Sequence, residues 1–168
     1  MLQTIIESLY FILPAYVANA FPVLLKKIPF GAAPINAPLF GKHKTWRGLY
    51  LGYFGALLVL FLQSQISTSY ALINYAQVNI FLFALALGLG ALLGDLIESF
   101  FKRRLKIKPG AMFFPFDQLD FIIGAVIATY PLFKLPVWHI VVLLLLTPVL
   151  HLITNIIAYK LKMKDVWW

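Results

Sequence analysis

The sequence predicts an all-α polytopic membrane protein of about five transmembrane helices, with its N-terminus outside and its C-terminus cytoplasmic. Three observations carry this expectation. Of 168 residues, 62% are hydrophobic and only 12% charged, and the mean hydropathy is +0.88, too apolar for an ordinary soluble domain. The apolar residues fall in long runs parted by short polar segments, each run about the 17 to 25 residues a bilayer crossing requires. The basic residues collect between alternate runs, so that nearly all of them fall on one side. Alternating ten-residue strands of an outer-membrane barrel are absent. With no cysteine, a disulfide framework and a thiolate metal site are both excluded.

The elements follow in chain order. The first span is predicted over about Leu2 to Leu25, too long for a signal-peptide core and without a preceding basic residue, hence read as a retained helix. Pro14 within it predicts a kink that neighbouring helices can accommodate. A loop at about 26–46 follows, punctuated by Pro29, Gly31, Pro34, Pro38 and Gly41. The second span is predicted over about Trp46 to Ser67 and the third over about Val78 to Phe101. A basic loop at about 102–116 leads into a fourth span from about Asp117 to Phe133, and a fifth from about Val137 to Tyr159. Without an internal repeat or linker, residues 1–168 read as a single transmembrane domain.

Five crossings place Lys26, Lys27, Lys42, Lys44, Arg47, Lys102, Arg103, Arg104, Lys106, Lys108, Lys160, Lys162 and Lys164 on one side. Only Lys134 lies opposite, so thirteen of the fourteen basic residues agree on which side is cytoplasmic. Part of the net charge of +8 is then a determinant of topology and of attraction to anionic lipid. No nucleic-acid partner is expected.

The acidic residues are more informative. There are six; Glu7 and Asp165 lie near the ends and carry no functional expectation. The other four form two pairs of equal spacing, Asp95 with Glu98 and Asp117 with Asp120. Residues three apart share a helix face, so each pair can aim both carboxylates at one point. Asp95 precedes Lys102 by a distance of about 10 Å along a helix, and an acid at that depth costs about 2.5–3.5 kcal/mol unless it faces a cavity or partner. Two other readings stay open: an interhelical ion pair, with Arg103 or Arg47 as the cation, and simple electrostatic fit of Asp117 and Asp120 to a helix N-terminus. Four carboxylates without thiols form a hard, oxygen-rich donor set suited to Mg²⁺, with a second cation left open. His43, His139 and His151 lack chelating spacing. A divalent metal beside clustered Lys and Arg is the arrangement that phosphoryl or nucleotidyl transfer needs.

No P-loop is present, and Gly88, Gly90 and Gly94 lie within a span rather than after a strand, so they read as helix-packing positions, as do Gly48, Gly52 and Gly55. Thr147, His151 and Asn155, with Thr154 beside them, form a polar stripe on the fifth span. They fit either interhelical hydrogen bonding or the lining of a polar cavity, and Asn19 invites the same two readings.

The stretch Gly94-Asp95-Leu96-Ile97-Glu98-Ser99-Phe100-Phe101-Lys102-Arg103, then Pro115 and Asp117-Gln118-Leu119-Asp120, resembles the signature of the phosphatidate cytidylyltransferases, or CDP-diacylglycerol synthases. Upstream, Gly41-Lys42-His43-Lys44-Thr45-Trp46-Arg47-Gly48 is similar to that family's Lys-Thr-Trp-x-Gly element. The small size and the run Ala15 to Pro22 resemble the archaeal branch, the CDP-archaeol synthases. Two departures stand out: Gln118 replaces the Arg usual in the bacterial second block, and the His-Gly-Gly of the bacterial enzymes is missing between Pro115 and Asp117.

The resemblance implies transfer of the cytidylyl group of CTP to an isoprenoid ether lipid phosphate, 2,3-di-O-geranylgeranylglyceryl phosphate, at a cell-membrane site facing the cytoplasm. It implies that Asp95, Glu98, Asp117 and Asp120 surround the metal, and that Lys102 and Arg103 bind the triphosphate or lipid phosphate. Lys42, Lys44, Thr45 and Arg47 would contact nucleotide phosphates, with Asn19 and Lys106 completing a substrate-binding set. Competing readings are a CTP-dependent polyprenol kinase, an ion-coupled transporter, for which the repeats are missing, and a purely structural membrane subunit.

Overall fold

The computed structural model describes residues 1–25, 29–66, 68–108 and 111–162, so the expectations placed on Lys26, Lys27, Lys164 and Asp165 lie outside the described residues. It is all-helical: α1 (Leu2–Leu24), a short α2 (Ala37–Phe40), α3 (Trp46–Ser64), α4 (Ile80–Ala84), α5 (Gly90–Arg104), α6 (Phe116–Thr129) and α7 (Val137–Lys160). Between α4 and α5 the turn Leu85–Leu89 is π-helical, so Ile80–Arg104 is one rod with a wide turn inside it. The sequence pattern contained no sign of that turn. Among the described residues the only β pairing is an isolated bridge between Pro34 and Thr45.

Four helical segments, Leu2–Leu24, Trp46–Ser64, Ile80–Arg104 and Val137–Lys160, are long and apolar enough to cross a membrane. The expected fourth span differs. Helix α6 stops at Thr129 after 14 residues, about 21 Å of helix, because Pro131 and the turns around it end the helix there. Large apolar side chains cover the outer faces, with Ile127 68% and Leu145 72% exposed; such a surface suits hydrocarbon, not water. Phe11, Ile12, Leu60, Phe83, Phe121, Ile122 and Leu143 form the buried centre.

Successive helices run antiparallel. Gly52 of α3 lies against Ala18 of α1 and Leu92 of α5, and Gly88 lies against Ala56. Gly90 and Gly94 of α5 lie against Ala128 and Asp120 of α6. In contrast, α1 and α7 run parallel, since Glu7 bonds His139 at 3.0 Å and Tyr16 bonds Thr147 at 2.7 Å. This brings the end of α1, the start of α3, the end of α5, the start of α6 and the end of α7 to one end of the bundle. The described basic residues share that end, except Lys134, which lies opposite with its ammonium 5.4 Å from the Tyr130 ring centroid.

Helix α1 runs through both Pro14 and Pro22. A proline has no N–H, so each leaves the carbonyl four residues earlier without its helical donor. Gln63 of α3 supplies one replacement, its Nε2 donating to the Tyr10 carbonyl at 2.6 Å while its Oε1 accepts from Tyr75 at 3.2 Å. At Pro22 the freed carbonyl is that of Ala18, and a Cβ on Gly52 would stand 2.8 Å from it, so only glycine lets α3 come this close. Gln63→Leu is expected to destabilise the protein by about 1–3 kcal/mol by leaving buried polar groups unpaired. Thermal unfolding in detergent should show this as a lower Tm, with part of the loss absent in a Pro14→Ala background, where the helix bonds Tyr10 itself. Equal losses in both backgrounds would separate Gln63 from the proline.

Candidate active site

The two carboxylate pairs meet because α5 and α6 cross at glycines. A Cβ at Gly94 would overlap the Asp120 carbonyl oxygen, one at Gly124 would overlap the Gly90 carbonyl oxygen, and one at Gly90 would stand 2.6 Å from the Ala128 Cβ. Backbone therefore rests on backbone. The residues after Gly94 on α5, Asp95 and Glu98, are held beside the first turns of α6, which carry Asp117 and Asp120. Gly48 is different from the packing glycines, since a Cβ there would meet nothing closer than the Thr45 hydroxyl at 3.6 Å.

A loop folds over this crossing. The Arg47 N–H donates to the Gly31 carbonyl at 2.7 Å, Trp46 to Ala33 at 3.2 Å, and Ile35 to Lys44 at 2.8 Å. Thr45 caps α3, its hydroxyl accepting from the Gly48 N–H at 3.2 Å, a standard use of threonine at a helix start. So clipped, Lys44 reaches α5, and its ammonium lies 2.7 and 2.6 Å from the two carboxylate oxygens of Asp95. Burial alone would lower the pKa of Lys44, but the Asp95 carboxylate outweighs burial and holds it above the ordinary lysine value. The side chain stays an ammonium at neutral pH.

Lys102 makes the second bridge. Its ammonium lies 2.8 Å from Asp117 Oδ1 and 3.4 Å from Glu98 Oε1, tying α5 to α6. The other Asp117 oxygen accepts from the Phe113 N–H at 2.7 Å, and Asp120 accepts from the Phe121 N–H at 2.6 Å. Among the described residues, Lys44 pairs with Asp95, and Lys102 pairs with Glu98 and Asp117. Arg103 has its Nε buried without a hydrogen-bond partner, and Arg104 stacks its guanidinium 5.2 Å from the Phe100 ring centroid.

A cavity of about 860 Å³ opens onto these groups. Lys44, Thr45, Asp95 and Asp117 line its polar end, so one carboxylate of each pair faces it. Its walls are the second half of α1 and the second half of α7, with Leu13, Val17, Leu150 and Ile157 among the apolar lining. Leu13 and Ile157 are 41% and 51% exposed, so this wall of the cavity is apolar and accessible. Asn19 lines it, whereas Lys42, Arg47, Arg103 and Lys106 do not. Lys106 sits in a left-handed turn just after α5, at φ 56°.

The polar stripe of α7 divides. Thr147 serves interhelical bonding to Tyr16, while His151, Thr154 and Asn155 line the cavity. Glu7, to which the sequence assigned no role, pairs with His139 at the end of the bundle away from the carboxylates. That pairing joins the first and last spans, and no local pattern marks it. Gln118, where the related bacterial block has Arg, is 5% exposed and its Oε1 lacks a hydrogen-bond partner; a neutral amide is far cheaper to bury there than a guanidinium.

Among the described residues no three acidic or histidine side chains converge as a ready ligand set. The space between the carboxylates is taken by the two ammoniums. The donor chemistry nonetheless fits a hard divalent cation: Asp95, Glu98, Asp117 and Asp120 offer oxygen alone, and the buried Glu98 Oε1 makes no hydrogen bond and has only the Lys102 ammonium beside it, at 3.4 Å.

The whole chain, residues 1–168, matches the family model described as CarS-like: CDP-archaeol synthase. It is 39% identical over 175 residues to a CDP-archaeol synthase of Pyrococcus furiosus, covering 99% of this chain and all of the relative. It is 37% identical over 180 residues to one of Methanococcus maripaludis, covering 100% and 99%, and 40% identical over 174 residues to one of Thermofilum pendens, covering 96% and 80%. A solved structure of an intramembrane enzyme for archaeal membrane lipids biosynthesis superimposes with a TM-score of 0.74 at 30% identity, covering 90% of this chain and 94% of that one. With the carboxylate crossing and the apolar surface, these likenesses establish that the chain is a membrane-embedded enzyme and belongs to the CarS-like family of CDP-archaeol synthases.

Proposed function

We propose that this chain transfers the cytidylyl group of CTP to 2,3-di-O-geranylgeranylglyceryl phosphate, giving CDP-archaeol and pyrophosphate at the cytoplasmic face of the cell membrane. The observation that carries this reading is a cavity with an accessible apolar wall, including Leu13 and Ile157, and an end lined by Lys44, Asp95 and Asp117. A lipid phosphate needs both environments at once. The basic end of the bundle is assigned to the cytoplasm, where CTP is found. The parallel course of α1 and α7 supports an odd number of crossings, with α6 as the short fourth.

In the reaction a lipid phosphate oxygen attacks the α-phosphorus of CTP. The new P–O bond forms as the bond to the bridging oxygen breaks, and pyrophosphate leaves with the electron pair. The acceptor is already an anion at neutral pH, so no covalent nucleophile is needed; Ser99, whose hydroxyl donates to Glu98 at 3.4 Å, serves as a hydrogen-bonding residue. Asp95, Glu98, Asp117 and Asp120 would hold Mg²⁺, which when bound neutralises the phosphate oxygens and the leaving pyrophosphate. Lys44, tethered by Asp95, is placed to bind a phosphate oxygen of the nucleotide. Lys102 holds Asp117 and Glu98 in register and can turn to the triphosphate. Lys42, Arg47, Arg103 and Lys106 supply positive potential around the mouth, which draws the polyanionic nucleotide in.

Purified protein given Mg²⁺, the lipid phosphate and CTP labelled on the α-phosphorus is expected to yield a labelled lipid and unlabelled pyrophosphate. Label entering the lipid only from γ-labelled CTP would make the protein a lipid kinase. Absence of any lipid product, with ether and diacyl acceptors both tried, would remove the proposal.

A further inference from the structure

Both ammoniums at the carboxylate crossing have anionic partners, but the two are held differently. Lys102 is buried, 9% exposed, and lies between Glu98 on its own helix and Asp117 on α6. Neither Lys102 nor Glu98 lines the cavity. Lys44 and its partner Asp95 both line it, and their side chains are 27% and 23% exposed. The Lys44 ammonium lies 2.7 and 2.6 Å from the two Asp95 oxygens, so it engages both at once. The loop fixes its backbone, the Lys44 carbonyl accepting from the Ile35 N–H at 2.8 Å and Thr45 capping α3. What can move is the flexible four-carbon stem.

Asp95 therefore has two claimants for the same oxygens. A divalent cation such as Mg²⁺ needs them at about 2.0–2.1 Å, and its charge repels an ammonium left beside it. Lys44 has to leave before a cation can bind there, and a partly buried ammonium without a partner is costly. A triphosphate at the cavity end supplies that partner, since phosphate oxygens pair with an ammonium as carboxylate oxygens do.

Resting on the reading of this site as a CTP-dependent cytidylyltransferase, we propose that Lys44 is the resident counter-ion of Asp95 and passes to the nucleotide when a divalent cation takes its place. The exchange couples the two ligands. Cation and nucleotide each bind better in the presence of the other, by the same factor in either direction. A cation alone is held weakly, because it must displace Lys44 with nothing to receive the side chain. Lys102, held by two carboxylates from two helices, keeps Glu98 and Asp117 together while Lys44 moves.

The test is the binding of Mn²⁺ to the full-length protein in detergent, read from the loss of the free-ion electron paramagnetic resonance signal, with no lipid acceptor present. Without nucleotide, Lys44→Gln is expected to bind Mn²⁺ about tenfold more tightly than the parent, a coupling of ordinary size. A residue that only bound phosphate or packed the loop would not strengthen metal binding when removed. Lys44→Arg, which keeps the charge, should bind Mn²⁺ as weakly as the parent. So should Lys42→Gln, which removes a charge from the same loop at an exposed position outside the cavity lining. CTP should tighten Mn²⁺ binding to the parent about tenfold beyond the Mn²⁺–CTP association measured in buffer, and the gain should shrink to within about twofold in Lys44→Gln. Unchanged or weaker Mn²⁺ binding by Lys44→Gln, or an equal gain in Lys42→Gln, would overturn the assignment. So would a parent whose Mn²⁺ affinity does not respond to CTP, a measurement that needs no variant to fold. Any of these results in a parent that forms CDP-lipid overturns this inference alone. A parent that forms none removes the cytidylyltransferase reading and this inference with it.

Discussion

Asp95→Asn and Asp117→Asn are each expected to lower CDP-lipid formation by about a thousandfold, while the protein still inserts and unfolds at a temperature near that of the parent. The size follows from what the carboxylates do in the proposed reaction: removing one preorganised charge-stabilising group from such a site costs about 10²–10³ in rate, and losing a metal ligand places the effect at the upper end. Both residues line the cavity, one from each crossing helix. Asparagine keeps the shape and a hydrogen-bonding oxygen, so the Phe113 N–H retains an acceptor at position 117. The crossing rests chiefly on glycine contacts, so the helices stay together, although each substitution weakens an ion pair, Lys44–Asp95 or Lys102–Asp117, and the Tm is expected to fall by a few degrees. Steady-state rates with CTP and lipid phosphate, beside circular dichroism and thermal unfolding, check this. A variant within tenfold of the parent would free that residue from the metal site.

Gly94→Ala is the second large effect. The added methyl would overlap the Asp120 backbone oxygen, and backbone cannot swing aside as a flexible side chain can. The two helices must separate by about an ångström or more, and a displacement of that size at reacting groups can cost about a hundredfold in rate. Asp95 and Glu98 would move away from Asp117, and the Lys102 bridge, 2.8 Å and 3.4 Å long, would be stretched or lost. Activity is expected to fall at least that far, with a lower Tm in detergent. Gly48→Ala is the matched control for stability, because a Cβ there meets nothing closer than the Thr45 hydroxyl at 3.6 Å; it should leave the Tm nearly unchanged, whatever its effect on a cavity that Gly48 helps to line. Full activity in Gly94→Ala would mean that the crossing tolerates separation and that glycine does not set the carboxylate geometry.

Much of this was legible in the residues because it is local. Apolar runs show where helices can span, since length and hydropathy are properties of consecutive residues. The i, i+3 spacing of Asp95 with Glu98 and of Asp117 with Asp120 shows shared helix faces for the same reason. The glycines at 88, 90 and 94 marked close packing because the lack of a side chain is itself the signal. Sidedness of the basic residues followed from counting crossings. The short α6 was harder, since apolar residues continue through the turn after Thr129 and hydropathy does not register where a helix stops.

The identity of each partner lay beyond any such pattern. Lys44 and Asp95 are 51 positions apart, and Glu7 and His139 are 132 apart; which charge meets which depends on how deep the helices interlock and on how the loop clips over them. From its sequence the chain was readable as a membrane protein with two carboxylate pairs at one basic end, within a recognisable set of motifs. Only the tertiary structure decided that Lys44 and Lys102 pair with those carboxylates, that α1 and α7 wall a largely apolar cavity beside them, and that His151 and Asn155 line it. Helical periodicity is written in neighbouring residues, whereas interhelical register emerges from the packing of all the helices together.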